Sequence, residues 1–439
     1  MDKFIKRNIW ADLITHLQKK EVLILLGPRQ VGKTTLILKL TDFLKEKLKI
    51  KEKYIFYYNF DDLDLKAKIK KDFFFIEKDI ALKLGRKIAK EGEKIYLFID
   101  EAQKAPSIFD LVKIFYDKNL NIKVILSGSS SLNIKDKTAE TLAGRASYFF
   151  LYPLSFSEII EKEFSFFKEI ENIKNEKELK EIASFGFRKE KEYRFLLEKN
   201  LFLGSLPKVF LAEKEEAINY LNNFLSTYLD KEIKDVGAKI DFENFHLSFQ
   251  YLAPYTADLF NFSKMAKDLG IKRDSLYHYL SLLEKTLVIK TVSPFIFPQI
   301  KNIFKSRKLF FFDNGVVNRL QGFFEFEEIK RTNFLGRLFE SFIFQNLYQR
   351  CLNDIKKPSL YYFRDYQNNE IDLIYKRGNI VIPIETTYSF SIPPKKLTNF
   401  KRLFALNSNI RYGLIFYLGE VKTFFINKTP IFAIPFFLV

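Results

Sequence analysis

Cysteine is almost absent. One residue, Cys351, stands in a chain of 439, which excludes an intramolecular disulfide framework and points to a reducing compartment. Histidine is nearly as scarce, with three in the whole chain. With one cysteine beside them, a conventional four-ligand zinc site has too few ligands, and no Ser-His or Cys-His catalytic motif stands out. Long apolar runs are missing too: no window reaches the roughly 18 uncharged apolar residues that a bilayer crossing takes. The apolar tail, residues 430–439, is too short to cross and reads as a final buried strand. Where a signal peptide needs an apolar stretch, the N-terminus carries Asp2, Lys3, Lys6, Arg7 and Asp12. There is no Gly/Ser- or Pro-rich linker and no internal repeat. The expectation is a cytoplasmic protein with no membrane partner.

What is present is apolar and basic. Hydrophobic residues make up 47% and aromatics 17%, enough for packed cores and too much for a disordered chain. The length suggests two to four domains at roughly 150 residues each. Lys and Arg number 72 against 54 Asp and Glu, a net charge of +18. The excess is uneven: residues 261–310 hold ten cations against three acids, whereas residues 151–240 alternate Lys and Glu in the manner of solvated helices.

Residues 22–152 alternate short apolar runs (22–26, 54–58, 95–99, 122–126, 148–151) with helix-period stretches such as 34–48 and 108–118. That order predicts a parallel sheet with helices on both faces. From 155 to about 244 the pattern is helical, and beyond about 359 strands dominate again. Two α/β units thus flank a helical middle.

The sharpest motif is Gly27-Pro28-Arg29-Gln30-Val31-Gly32-Lys33-Thr34, a full G-x-x-x-x-G-K-T. It follows one apolar run and opens a helix, the context a P-loop requires. The glycines let the backbone curl so that successive N–H groups point at phosphate oxygens, and the helix N-terminus adds positive potential. Gly27 through Thr35 are the expected nucleotide-binding residues. Lys33 would reach the β- and γ-phosphates of ATP, and the Thr34 hydroxyl would ligate its Mg²⁺. The run 95–99 ends in Asp100-Glu101. There Asp100 would hold Mg²⁺ and Glu101 would orient or polarise the attacking water. Ser127 and Ser129, at the end of the next run, could sense the γ-phosphate or form an ordinary turn. Arg145 could act as an arginine finger, within its own subunit or across a boundary in a homo-oligomer, or it could simply pair with an acid.

GPRQVGKTT, Asn59-Phe60-Asp61-Asp62, Phe98-Ile99-Asp100-Glu101-Ala102-Gln103, Ser127-Gly128-Ser129-Ser130, and Gly144-Arg145 followed by Pro153-Leu154-Ser155-Phe156-Ser157-Glu158 stand in one order. Together they resemble the prokaryotic AAA+-like ATPases, related to the archaeal STAND type, that carry a C-terminal domain of unknown function. Phe202-Leu203-Gly204-Ser205-Leu206-Pro207 is similar to the family's Gly-Gly-x-Pro stretch, with Ser205 replacing a glycine. The resemblance covers nearly the whole chain and implies an AAA-type core, a helical lid, a winged helix and a terminal nuclease-like domain.

Residues 263–269, the breaker Gly270, a second helix from Arg273 to 287, and strand-like 288–292 also have, on their own periodicity, the shape of a winged helix-turn-helix. Leu276, Leu280, Leu283 and Leu287 form the buried stripe. Lys272, Arg273, Tyr277 and His278 would lie on the exposed start of the second helix. Lys301, Lys305, Arg307 and Lys308 cluster where a wing would come. Double-stranded DNA is one partner this charge fits; packing against the lid or a protein partner is the other.

In the C-terminal part, residues 370–375, a four-residue loop and residues 380–385 predict a hairpin. In that register Glu370 faces Glu385 with Asp372 diagonal to it. With Glu340 on the preceding helix, Glu340, Asp372 and Glu385 become candidate ligands of a second metal site. The arrangement looks like a PD-(D/E)xK nuclease fold. It departs at the last motif position, which is Thr387 where lysine is expected; Lys395 or Lys396 on the following helix could substitute. The alternative is a nuclease-derived domain kept for binding or assembly. The expected fold class is α/β multidomain: a P-loop NTPase parallel sheet (1–154), a helical lid (155–244), a winged helix (245–320) and a restriction-endonuclease-like α/β domain (321–439).

Overall fold

The computed structural model describes residues 4–129, 140–162, 171, 173, 175–236, 240–297, 306–367, 369–407 and 410–439. Strands β1 (Val22–Leu26), β2 (Ile55–Asn59), β3 (Ile95–Asp100), β4 (Ile122–Gly128) and β5 (Ala146–Phe150) form one sheet in the order β2-β3-β4-β1-β5. All four pairings are parallel. Every residue of β1, β3 and β4 is buried, as expected for continuous apolar strands covered on both faces. The helix Lys33–Glu46 follows β1, and the helix Ile108–Asp117 lies between β3 and β4.

The helical stretch expected after residue 155 contains helices Phe156–Ile159, Glu176–Phe187, Glu190–Leu203, Pro207–Leu211 and Lys214–Val236. Next come a helix Phe242–Leu252, strand β6 (Asp258–Leu259), helices Phe262–Leu269 and Arg273–Lys285, and strands β7 (Ile289–Val292) and β8 (Lys308–Phe311). The three strands pair antiparallel in the order β6-β8-β7. Gly270, in the left-handed region at φ 66°, ends the first helix of the pair and turns the chain into the second. Leu276, Leu280 and Leu283 are buried as the stripe predicts.

After the helix Phe334–Asn353 come β9 (Ser359–Arg364), β10 (Glu370–Arg377), β11 (Ile380–Thr386), the helix Pro394–Leu406, β12 (Gly413–Tyr417), β13 (Lys422–Ile426) and β14 (Thr429–Pro435). They make a six-stranded mixed sheet ordered β13-β14-β12-β11-β10-β9. The β10–β11 hairpin corrects the expected register. The strands run on to Arg377 and Ile380, which pair directly, so the loop has two residues rather than four. Gly378 enters it at φ 57°, a placement that two-residue hairpins favour. With Leu373 opposite Ile384, the next pair outward is Asp372 with Glu385. Glu370 turns instead to β9, opposite Arg364.

One contiguous hydrophobic core runs from Ile9 through the parallel sheet, the helical segment and the small antiparallel sheet to Val439. A smaller cluster fills the space between β10, β11 and the helix Pro394–Leu406. Among the described residues no helix is long and apolar enough to cross a membrane.

Candidate functional site

The loop after β1 is held in a shape that few residues tolerate. Gln30 and Gly32 have φ of 65° and 94°, and a Cβ on Gly27 would sit 2.0 Å from the Leu151 carbonyl oxygen. The helix Lys33–Glu46 starts at Gly32 with no side-chain cap and no acid in its first turn. The positive end of its dipole thus meets no acid from its own first turn, a setting that suits an anion. Lys33 is buried and its ammonium donates to the carbonyls of Gly27 at 2.9 Å and Pro28 at 2.8 Å. Pro28 and Val31 are buried, Arg29 half-buried, and Gln30, Thr34 and Thr35 exposed.

Asp100 ends β3 with no exposed surface. Its Oδ2 accepts from the Thr34 hydroxyl at 2.6 Å and from the Tyr57 hydroxyl at 3.1 Å. Its Oδ1 accepts from the Ser127 hydroxyl and from the Glu101 backbone N–H. The loop after β1 and the acid ending β3 therefore meet across the end of β4. Burial, and then the neighbouring Asp100 carboxylate, push the Tyr57 hydroxyl well above the usual tyrosine range. Glu101 occupies the left-handed region at φ 54°. Its Oε2 accepts from Gln103 Nε2 at 2.6 Å, and the same nitrogen donates to Ser129 Oγ at 3.0 Å. Hydrogen bonds thus link Thr34, Asp100, Glu101, Ser127 and Ser129, with Lys33 next to Thr34 in the chain.

Arg145 does not join them. It precedes β5, and its carbonyl accepts from Val22 N–H at the start of β1. The P-loop follows the far end of β1, about 16 Å away at the usual rise per residue. Arg145 pairs with Asp117 at 2.7 Å. The finger acting within its own subunit is thus corrected: parallel pairing sends the two ends of the sheet in opposite directions.

Glu340, Asp372 and Glu385 are buried but do not converge as metal ligands; among the described residues no group of three His, Cys, Asp or Glu could hold a metal ion. Lysines occupy that role. Lys396 donates to Asp372 at 2.7 Å and to Glu385. Lys308 lies 2.5 Å from Glu340 and 3.0 Å from Glu370. Asp372 also accepts from the N–H and hydroxyl of Thr386, and Glu385 from Asn399. Despite its burial, Lys396 and Lys308 draw the Asp372 carboxyl below the usual range. Burial, and then the Asp372 charge, push Glu385 up. The deviation from the expected metal site has a simple cause: an ammonium neutralises a buried acid pair as a metal would.

Lys272, Arg273, Tyr277 and His278 are exposed at the start of the helix Arg273–Lys285, with Tyr277 stacked on Phe262 at 4.1 Å. Lys301 and Lys305 lie outside the described residues. Arg307 donates to the Thr291 hydroxyl. Lys308 is not a wing cation at all but a buried ion-pair partner, because it starts β8 on the side facing Glu340 and Glu370.

Residues 19–160 match the family model described as an AAA domain. This part of the chain is an AAA+-type P-loop ATPase domain. Residues 194–327 and 335–437 match two families of domains of unknown function, DUF8612 and DUF4143. An uncharacterized protein of Mycobacterium tuberculosis is 24% identical over 371 residues, covering 84% of this chain and 70% of that one. An uncharacterized protein of Methanocaldococcus jannaschii is 28% identical over 330 residues, covering 71% and 62%. Similar solved structures include AMPPCP-bound DnaA of Aquifex aeolicus, with 13% identity, 63% of this chain and 86% of that one covered, and a TM-score of 0.25. The ORC1 protein of Aeropyrum pernix in complex with DNA has 10% identity, coverage of 75% and 95%, and a TM-score of 0.28.

Three residues around this geometry escape motif reading. Tyr57 is one of several aromatics in β2, paired with Phe98 in β3, and only the diagonal reach of its hydroxyl to Asp100 distinguishes it. Gln103 stands inside a quoted motif, yet its role depends on a turn. Arg7 reads as a terminal charge. It is buried, however, donating to Val31 of the P-loop at 2.8 Å and to Tyr152 at 2.5 Å while pairing with Glu158 at 3.1 Å.

Proposed function

We propose that the chain binds ATP with Mg²⁺ and hydrolyses it, and that its nucleotide state changes how the middle segment engages double-stranded DNA. The observation that carries the first part is the 2.6 Å contact between Thr34 and Asp100. It offers one hydroxyl and one carboxylate to a cation, with the P-loop amides on one side and Glu101 on the other. Mg²⁺ there would neutralise phosphate charge, held by Thr34 and Asp100. Lys33 would bind the β- and γ-phosphates, and Glu101 would polarise the attacking water. Lys33→Ala should lose ATP affinity, measured by calorimetry, while Glu101→Gln should bind ATP without turning it over. A wild type with no affinity for ATP would sink the account.

The DNA part draws support from the order of elements between Phe242 and Phe311: helix, strand, two helices joined at a glycine, and two strands. That is the order of a winged helix, with Lys272, Arg273, Tyr277 and His278 exposed where phosphates or base edges would come. Residues 155–244 would then be the lid. If Arg145 acts as a finger, it does so on a neighbouring copy in a homo-oligomer. The test is the ATPase rate with and without duplex DNA at two salt concentrations. Stimulation that fades with salt supports the reading; an unchanged rate favours a switch that acts on a protein partner.

A second reading concerns the C-terminal part. Lys396, bound to both Asp372 and Glu385, supports a nuclease-like unit whose lysine comes from the following helix. Because lysines already neutralise its acids, we read it as a unit for binding or assembly rather than cleavage. Plasmid incubated with Mg²⁺ or Mn²⁺ should stay intact; cutting that Asp372→Ala abolishes would make it a nuclease.

A further inference from the structure

Gln103, in the turn Ala102–Lys104 after β3, is 5% exposed. Its side chain joins the acid that follows β3 to the hydroxyl that follows β4, donating from one nitrogen to Glu101 Oε2 at 2.6 Å and to Ser129 Oγ at 3.0 Å. Chemistry fixes the orientation of this amide. An ionised carboxylate only accepts, so the atom facing Glu101 is the NH₂ group rather than the oxygen. The amide oxygen is buried with no hydrogen-bond partner among the described residues. Leaving an acceptor buried in this way is costly, and a flipped amide could not donate to Glu101. Ser129 is 1% exposed.

These facts set a direction on the site. Because the Ser129 oxygen accepts from Gln103, the hydroxyl hydrogen is left to donate elsewhere. Because Glu101 spends one oxygen on Gln103, its other oxygen remains for a water. We propose that Gln103 is a positioning residue for ATP hydrolysis. It fixes Ser129 as a donor toward a γ-phosphate oxygen and Glu101 as the acceptor for the attacking water, so that both are aligned by one rigid amide. The inference rests on the hydrolysis reading above and adds the residue that couples the ends of β3 and β4.

The test compares wild type with Gln103→Glu, which keeps the shape but replaces the shared donor by a second carboxylate, and with Gln103→Leu, which removes the hydrogen bonds and keeps the bulk. Single-turnover and steady-state kinetics are read beside the ATP dissociation constant. The expected result is a kcat lowered about 10- to 100-fold in both variants, the scale of a reacting group displaced by up to about 1 Å. The ATP dissociation constant should stay within about threefold, since binding rests on the P-loop amides and Lys33. Gln103→Leu added to Ser129→Ala should cost less than the product of the two single losses, because the residues act as a unit. An active wild type with undiminished kcat in folded Gln103→Glu and Gln103→Leu would overturn the role of Gln103 alone, as would kcat and ATP affinity falling in step. A wild type that binds ATP without turnover would overturn the hydrolysis reading and this role with it.

Discussion

Asp100 shows how one carboxylate can organise a site. Both its oxygens are filled, one by Thr34 and Tyr57 and the other by Ser127 and a backbone N–H. Asp100→Asn would remove the negative charge from the site and exchange one of those acceptors for an NH₂ group. We expect ATP turnover to fall at least about 100-fold, measured at saturating Mg²⁺. Tyr57→Phe removes one of several donors and should cost no more than about tenfold. A second residue-scale case is His16, buried at the other end of the sheet with Lys123 Nζ 3.0 Å from its Nδ1. Burial, and then the Lys123 charge, lower its pKa to about 4. The sign is clear: the folded state resists protonation that the unfolded chain accepts near pH 6.5. Stability from this residue is complete above that pH and falls as pH drops toward 4. Unfolding free energy measured across this window should have a shallower slope in His16→Gln; an unaltered slope would refute it.

At the scale of elements, the P-loop and the Lys308 strand make the clearest predictions. Gly27→Ala pushes a methyl into the Leu151 carbonyl, so the loop must move or β5 must shift. Loss of ATP binding, with a smaller drop in melting temperature, is the expected outcome by calorimetry and thermal unfolding. Lys308→Met takes the cation from buried Glu340, while Glu370 keeps Arg364 at 3.5 Å. Removing one partner of a buried pair costs about 3–5 kcal/mol, read as a shift in the denaturant midpoint. Adding Glu340→Gln should recover part of that loss. Much of this scale was legible beforehand. All five parallel strands lie where apolar runs of strand length stand, and Gly270 separates two helices as expected. The hairpin register was not, because a loop shortened by two residues shifts the opposing side chains and only backbone pairing decides it. Nor was the burial of Lys308: its neighbours in sequence do not reveal that Glu340 and Glu370 lie opposite.

For the molecule as a whole, the shared core matters. The parallel sheet, the helical segment and the C-terminal helix Phe334–Asn353 contribute to one hydrophobic cluster. Asp313 is buried, accepts from Ser205 N–H at 2.7 Å and caps the helix Asn314–Leu320. Gly204 must lack a side chain there, since a Cβ would sit 2.0 Å from that carboxylate. A change at the P-loop therefore meets packed neighbours rather than a loose linker. If duplex DNA is engaged, Arg273→Ala should weaken binding and lessen the salt slope by about one unit, measured by titration at several salt concentrations. An unchanged slope would remove Arg273 from the interface.

By itself the sequence determined the local chemistry. A glycine-framed loop between strand and helix makes an anion cradle wherever it folds, and an apolar run ending in two acids delivers them to a strand end. These follow from backbone conformation and side-chain period, which are properties of neighbouring residues. Which distant groups meet was settled only by the tertiary structure: Thr34 with Asp100, Gln103 with Ser129, Lys396 between Asp372 and Glu385, Arg145 at the far end from the P-loop. Such meetings depend on strand order and register, and those are set by how whole faces exclude water together rather than by any residue's immediate sequence.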